Sequence, residues 1–233
     1  MLAAALLSAS VAAAAAAPLV AVDAGHTSAA PGATSARGIP ERTFNLAVAE
    51  RLVAALRGDG LRAVLVGGGA DAPPGARPAL AARLGAAMLV SIHHDSVQPR
   101  YLTSWTVDGV ERTYSDRFRG FSVFYSGAGA RPRESLRLAI RIGDALLALG
   151  LAPTLHHAEP IEGEGRPLVD ARRGVYRYDD LAVLRLARMP AVLVECGVLV
   201  NRDEELALRD PERQERMARA LARAIASALR SPR

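Results

Sequence analysis

Six short aliphatic runs punctuate the chain: "LVAVD" (19–23), "LRAVLV" (61–66), "AAMLVSIHH" (86–94), "GFSVFYS" (120–126), "AVLRL" (182–186) and "PAVLVECGVLV" (190–200). Stretches with a helical period separate them. From Glu41 to Arg57 the apolar positions are Leu46, Val48, Ala49, Leu52, Val53 and Leu56, one face of a helix. Pro78 to Leu84 reads as a short helix and Pro132 to Leu149 as a long one. Asn201 with Glu204 three residues later has the form of a capping box, and Asp210-Pro211 opens a terminal helix running to about Leu229. Strands that are apolar on both faces and alternate with helices build an open α/β sheet with buried strands. At 233 residues the chain suits one such domain. The stretch from Asp95 to Arg119 reads as irregular, and "LAPTLHHAEPIEGEGRPLVDARRGVYRYDD" (151–180) as a polar loop.

Bulk composition narrows the function classes. Only 4% of residues are aromatic, so the core is aliphatic. The net charge of +5 comes entirely from arginine, since no lysine occurs, but these residues are scattered and no aromatics are interleaved with them. That argues against a nucleic-acid partner and fits carboxylate-bearing cell-wall polymers equally well. The single Cys196 permits no intramolecular disulfide. "MLAAALLSASVAAAAAA" (1–17) has the apolar segment and the A-x-A frames of a cleavable signal peptide. It is too short for a stable membrane span of roughly 20 residues. The expectation is an exported protein of the periplasm or cell envelope, with residues 18–233 as its catalytic domain.

In open α/β sheets ligands collect beyond the carboxyl ends of the strands. Three runs here end in ionisable groups: His26 after "VAVDAG", His93 after "MLVSI" and Glu195 within "PAVLVECG". Glu41 starts the first helix. Catalytic zinc takes three protein ligands, often two histidines and a glutamate, and leaves a position for water. His26, Glu41 and His93 suit that ligand set, with Glu195 as a carboxylate free to accept the water's proton.

Four motifs, "DAGH", "PERTFNL", "SIHHD" and "MPAVLVECGVLVN", follow one another in an order and spacing that resembles the zinc-dependent N-acetylmuramoyl-L-alanine amidases, amidase type 3. The resemblance covers residues 18 to about 229. It implies a central, mostly parallel sheet flanked by helices, with zinc ligation by His26, Glu41 and His93 and the catalytic role on Glu195. It also implies hydrolysis of the amide between muramic acid and L-alanine in peptidoglycan, in cell-wall remodelling or division. Two other readings stay open: a non-catalytic or regulatory peptidoglycan-binding protein on the same fold, and a zinc peptidase cutting another amide.

Departures from the family pattern define further expectations. Ala24 stands for the usual Pro, Thr27 for Gly, and His94-Asp95 for Ala-Asn. Neighbouring strand residues face opposite ways, so only one of His93 and His94 reaches a metal. The family register selects His93 and leaves His94 a supporting, substrate-facing or structural role. Asp23 is placed to orient an imidazole, and Arg37 to hold a stem-peptide carboxylate. Cys196, one residue on from Glu195, turns to the opposite, buried face. His156-His157 reads as a solvated loop pair. The segment 96–120 is long and carries Tyr101, Trp105, Tyr114 and Phe118. Some relatives hold an autoinhibitory helix there, so it reads as a gate on which an activating protein partner acts; a substrate-binding rim and a packed structural excursion are the alternatives.

Overall fold

The structure is a computed structural model that describes residues 17–67 and 72–230. The leader expected over 1–17 lies outside the described residues, Ala17 excepted. In chain order the elements are β1 (Leu19–Ala24), α1 (Glu41–Gly58), β2 (Arg62–Leu65), α2 (Ala76–Arg83) and β3 (Met88–Asp95). Then come β4 (Thr103–Val107), β5 (Val110–Tyr114), β6 (Ser122–Tyr125), α3 (Pro132–Leu147), β7 (Leu168–Asp170) and β8 (Val175–Arg177). The chain closes with α4 (Ala182–Arg185), β9 (Ala191–Val198), α5 (Arg202–Arg209) and α6 (Pro211–Arg230). No described helix is long and apolar enough to cross a membrane.

Seven strands form one sheet in the order β2-β1-β3-β9-β6-β8-β7. The four from β2 to β9 run parallel, β6 lies antiparallel to β9, β8 is parallel to β6, and β7 closes the edge antiparallel to β8. This is the mostly parallel sheet flanked by helices that the motifs imply. Alternation along each strand sorts its side chains between two cores. Val20, Val22, Val90, Ile92, Val194 and Cys196 pack under α1, α3 and α6. Leu19, Ala21, Leu89, Ala191 and Leu193 pack on the other face, under α2 and α4. Each Val, Leu or Ile side chain buried this way contributes about 1.5–3 kcal/mol, and the sheet is buried on both sides. β1 lies between β2 and β3, so the connections after β1 and β2 leave in opposite directions and open a crevice at its carboxyl end.

Three expected local structures differ. "AVLRL" is the short helix α4, with Val183 and Leu184 buried on one side; apolar runs this short do not distinguish strand from helix. Residues 96–120 hold a one-turn 3-10 helix (Pro99–Tyr101) and the hairpin β4-β5. Asp108 (φ 52) and Gly109 (φ 74) turn the hairpin with the two left-handed residues that an Asp-Gly connection supplies. The polar loop at 151–180 contains β7 and β8, which extend the main sheet.

Candidate metal centre

The carboxyl ends of β1 and β3 and the first residue of α1 meet in the crevice. Glu41 is buried, 4% exposed, at the positive end of α1, where a carboxylate is favoured. Its Oε2 lies 2.8 Å from His26 Nε2 and its Oε1 3.0 Å from His93 Nδ1. The two imidazole rings sit edge to face with centroids 5.0 Å apart. One ligand atom from each of the three residues lies within 4.8 Å of the others. Burial works to raise the Glu41 pKa, but hydrogen bonds from His26 and His93 and their charges outweigh it and hold the carboxyl well below its ordinary value. Two imidazoles and an ionised carboxylate at this separation are a donor set suited to zinc.

Backbone geometry brings His26 into this group. Its φ is 68°, a left-handed conformation uncommon for a residue with a side chain. Arg77, 1% exposed, holds the turn: Nη2 donates to His26 O at 2.6 Å and Nη1 to Ala24 O at 3.3 Å. Gly25 is required for a different reason. A Cβ there would fall 2.2 Å from His93 Nε2, inside the ring's contact radius.

The neighbouring histidines of β3 part company, as strand alternation requires. His94 is 2% exposed on the α1 face, against Phe44, with Nδ1 2.8 Å from Asn45 Oδ1. Asn45 Nδ2 in turn donates to Glu41 Oε1 at 3.0 Å, so the His94 side chain reaches the centre through that amide, while its backbone N–H donates to the same Oε1 at 3.3 Å. Burial lowers its pKa to about 3, with His93 and Arg213 adding to the effect and Glu41 opposing it.

Glu195 lies directly across from His93 in the β3-β9 register. It is partly buried, and its Oε2 is shielded from solvent without a hydrogen-bond partner. Burial, then the charges of Asp95 and Glu41, push its pKa well above the carboxylate range, while His157 pulls the other way. A pocket of about 270 Å³ opens beside it, lined among others by Asp95, Gln98, His157, Glu164 and Tyr178. Ser96 and Val97 line the same pocket, so the start of the 96–120 segment forms part of its rim. The hairpin itself leans on the loop between the first two centre residues, with Trp105 Nε1 donating to Ala36 O at 3.0 Å.

Other expected roles are redirected. Asp23 does not touch an imidazole. Its carboxylate takes Arg77 Nη1 at 3.0 Å and Ser91 Oγ at 2.6 Å, because a fully buried carboxylate needs a cation and the guanidinium fills that need. Arg37 is drawn away from the crevice by buried Glu205 (2.6 Å) and by Arg202 O (2.7 Å), and it sits over the Trp105 ring. His156-His157 is not a solvated pair: His156 is 2% exposed, and His157 is wedged between Asp95 and Glu164. Cys196 is 1% exposed in the α1-α6 core, on the face away from Glu195. Arg77 and Asn45 escaped sequence reading. What marks them out lies far off in the chain, since Arg77 meets Asp23 across 54 residues and Asn45 meets His94 across 49.

The sequence profile of the N-acetylmuramoyl-L-alanine amidase family matches residues 20–227. N-acetylmuramoyl-L-alanine amidase Rv3717 of Mycobacterium tuberculosis is 28% identical over 203 residues, covering 86% of this chain and 73% of that protein. The crystal structure of the amidase Ami1 from Mycobacterium smegmatis superposes with a TM-score of 0.70 at 28% identity, over 93% of this chain and 99% of that one. The amidase AmiC2 of Nostoc punctiforme gives 0.66 at 27% identity, over 92% and 98%.

Proposed function

Because the chain belongs to the N-acetylmuramoyl-L-alanine amidase family, amidase type 3, we propose that it is a zinc-dependent hydrolase of the bond joining N-acetylmuramic acid to the L-alanine of the stem peptide. The observation that carries this reading is the convergence of His26, Glu41 and His93, with Glu195 in register beside them, in a chain that matches the family almost end to end. In this reading His26, Glu41 and His93 hold zinc. The ion supplies a Lewis acid for the scissile carbonyl and lowers the pKa of a water to about 7. With a cation bound beside it to favour its ionised form, Glu195 would accept the proton of the attacking water and deliver it to the departing L-alanine nitrogen. Its unpartnered Oε2 leaves one oxygen free for that exchange. Asn45 and the Ala33 amide fix the Glu41 carboxylate, and Arg77 fixes the His26 turn, so the donors are held in place before substrate arrives.

Export by the 1–17 segment and work in cell-wall remodelling or division belong to the same proposal. So does an activating protein partner acting on 96–120, whose hairpin abuts the loop joining two centre residues. The deciding experiment incubates zinc-loaded protein with purified peptidoglycan and identifies the amino terminus released. L-alanine supports the amidase; an internal stem residue identifies a peptidase; no cleavage by folded, loaded protein leaves only a binding role. Removing the hairpin should raise turnover if it gates the site and lower it if it is a substrate rim.

A further inference from the structure

A second cluster of metal-ligating side chains stands next to the first. Asp95 ends β3, two residues beyond His93, and His156 and His157 reach it from a 3-10 turn in the 151–168 loop. In both histidines Nδ1 is taken by an outer partner: His156 Nδ1 is 2.8 Å from Thr154 Oγ1, and His157 Nδ1 is 3.0 Å from Glu164 Oε2. In both, Nε2 converges on Asp95 Oδ2, at 3.3 and 2.8 Å. One atom from each of Asp95, His156 and His157 lies within 4.8 Å of the others. The His156 ring is 2% exposed, so its Nε2 is turned into the protein, toward Asp95. Metal-ligating histidines are held in this way, with the far nitrogen bonded to a carboxylate or hydroxyl and the near one aimed at the ion. The arrangement repeats that of Glu41 between His26 and His93, where the separations are 2.8 and 3.0 Å.

We propose that Asp95, His156 and His157 form a second divalent-cation site, selective for ions of the zinc and cobalt class, which fills at metal excess and restrains the amidase. Glu195 lines the same pocket as Asp95 and His157 and carries an oxygen without a partner, so an ion here would act on that carboxylate across a shared pocket. The inhibitory part of the proposal rests on Glu195 being the base; the site itself does not. Filling order follows from contacts already made: both ring nitrogens of His156 and of His157 face a protein partner, so an ion entering must displace the contacts to Asp95. The second site is therefore the weaker one.

The test is a Co²⁺ titration of the full chain, following the visible absorption of the bound ion, with metal per chain counted after equilibrium dialysis. Two equivalents are expected in the wild type. One is expected in His156→Gln and in His157→Gln, and His93→Ala should keep the weak equivalent while losing the strong one. A single equivalent in the wild type overturns the site, as does a second equivalent that survives both glutamine substitutions. If either variant fails to fold, the wild-type count and the His93→Ala count still decide. Excess Zn²⁺ should inhibit peptidoglycan hydrolysis by the wild type and spare His156→Gln. Equal inhibition of the two overturns the inhibitory role. Metal counts need no turnover, so they remain decisive even if the chain proves not to cleave peptidoglycan.

Discussion

Replacing Arg77 by Met removes a charge while keeping an unbranched side chain of similar reach. The ion pair with Asp23 spans 3.0 Å, with the two side chains 2% and 1% exposed, so solvent cannot replace the lost partner. Breaking one half of such a pair costs about 3–5 kcal/mol, because the remaining charge stays buried. The lost bonds to His26 O, Ala24 O and Ala72 O overlap with that cost rather than adding to it in full. We expect a destabilisation of about 4 kcal/mol, a large part of a typical 5–15 kcal/mol. Urea unfolding followed by circular dichroism measures it. Adding Asp23→Asn to Arg77→Met removes the orphaned charge and should recover about 1–2 kcal/mol. Since Arg77 also ties down the carbonyl of His26, zinc affinity should fall roughly 10- to 100-fold, read by competition with a chelating dye. A loss of stability below about 1 kcal/mol together with unchanged zinc affinity would refute the clamp, because surface-like substitutions already produce changes of that size.

Glu195→Gln should keep zinc and wall binding while losing on the order of 10²- to 10⁴-fold in turnover; a folded, loaded variant with near wild-type turnover would remove Glu195 as the base. His93→Ala should lose stoichiometric zinc and His94→Ala should keep it, with the opposite pattern shifting the ligand register by one residue. Gly25→Ala places a Cβ 2.2 Å from His93 Nε2, so it should displace that ring and weaken zinc binding while the unfolding transition stays cooperative. Burial and the charge of Glu195 raise the Cys196 thiol far above its ordinary value, so a disulfide reagent should label it only after denaturation; fast labelling of the native protein would contradict that packing.

How far each feature was legible in the sequence depended on the range of the contact that creates it. β1, β3 and β9 show in the chain because a strand covered on both faces must be largely aliphatic, and the few ionisable residues within or just beyond them stand out. Glu41 shows because it begins a helical period. Asp108-Gly109 was equally local, a two-residue turn between alternating segments, and the hairpin it makes could have been expected on the same grounds. α4 could not, since a run of that length satisfies either period. The Asp23–Arg77, Arg37–Glu205 and Asp95–His157 pairs join positions 54, 168 and 62 residues apart. Nothing local marks them. The polar composition of 151–180 suggested solvation, whereas its histidines are buried because carboxylates from β3 and from the loop itself satisfy them.

The separate environments of His93 and His94 follow from one hydrogen-bond chain. Glu41 is ionised and can only accept, so the group of Asn45 facing its Oε1 must be the amide nitrogen. The same nitrogen faces Gly25 O at 3.3 Å, another acceptor, which fixes the amide orientation independently. Asn45 Oδ1 then points at His94 and must receive a hydrogen, so His94 carries its proton on Nδ1. A neutral imidazole with Nδ1 protonated leaves Nε2 as a bare acceptor, and that atom has no partner in the core. Its low pKa agrees with this neutral state. The His94 side chain thus acts on the centre at one remove, by holding the amide that holds Glu41, while its backbone N–H bonds Glu41 Oε1 directly. Removing it should loosen the Glu41 carboxylate without deleting a donor, which is why metal stoichiometry and metal affinity must be measured separately at this position.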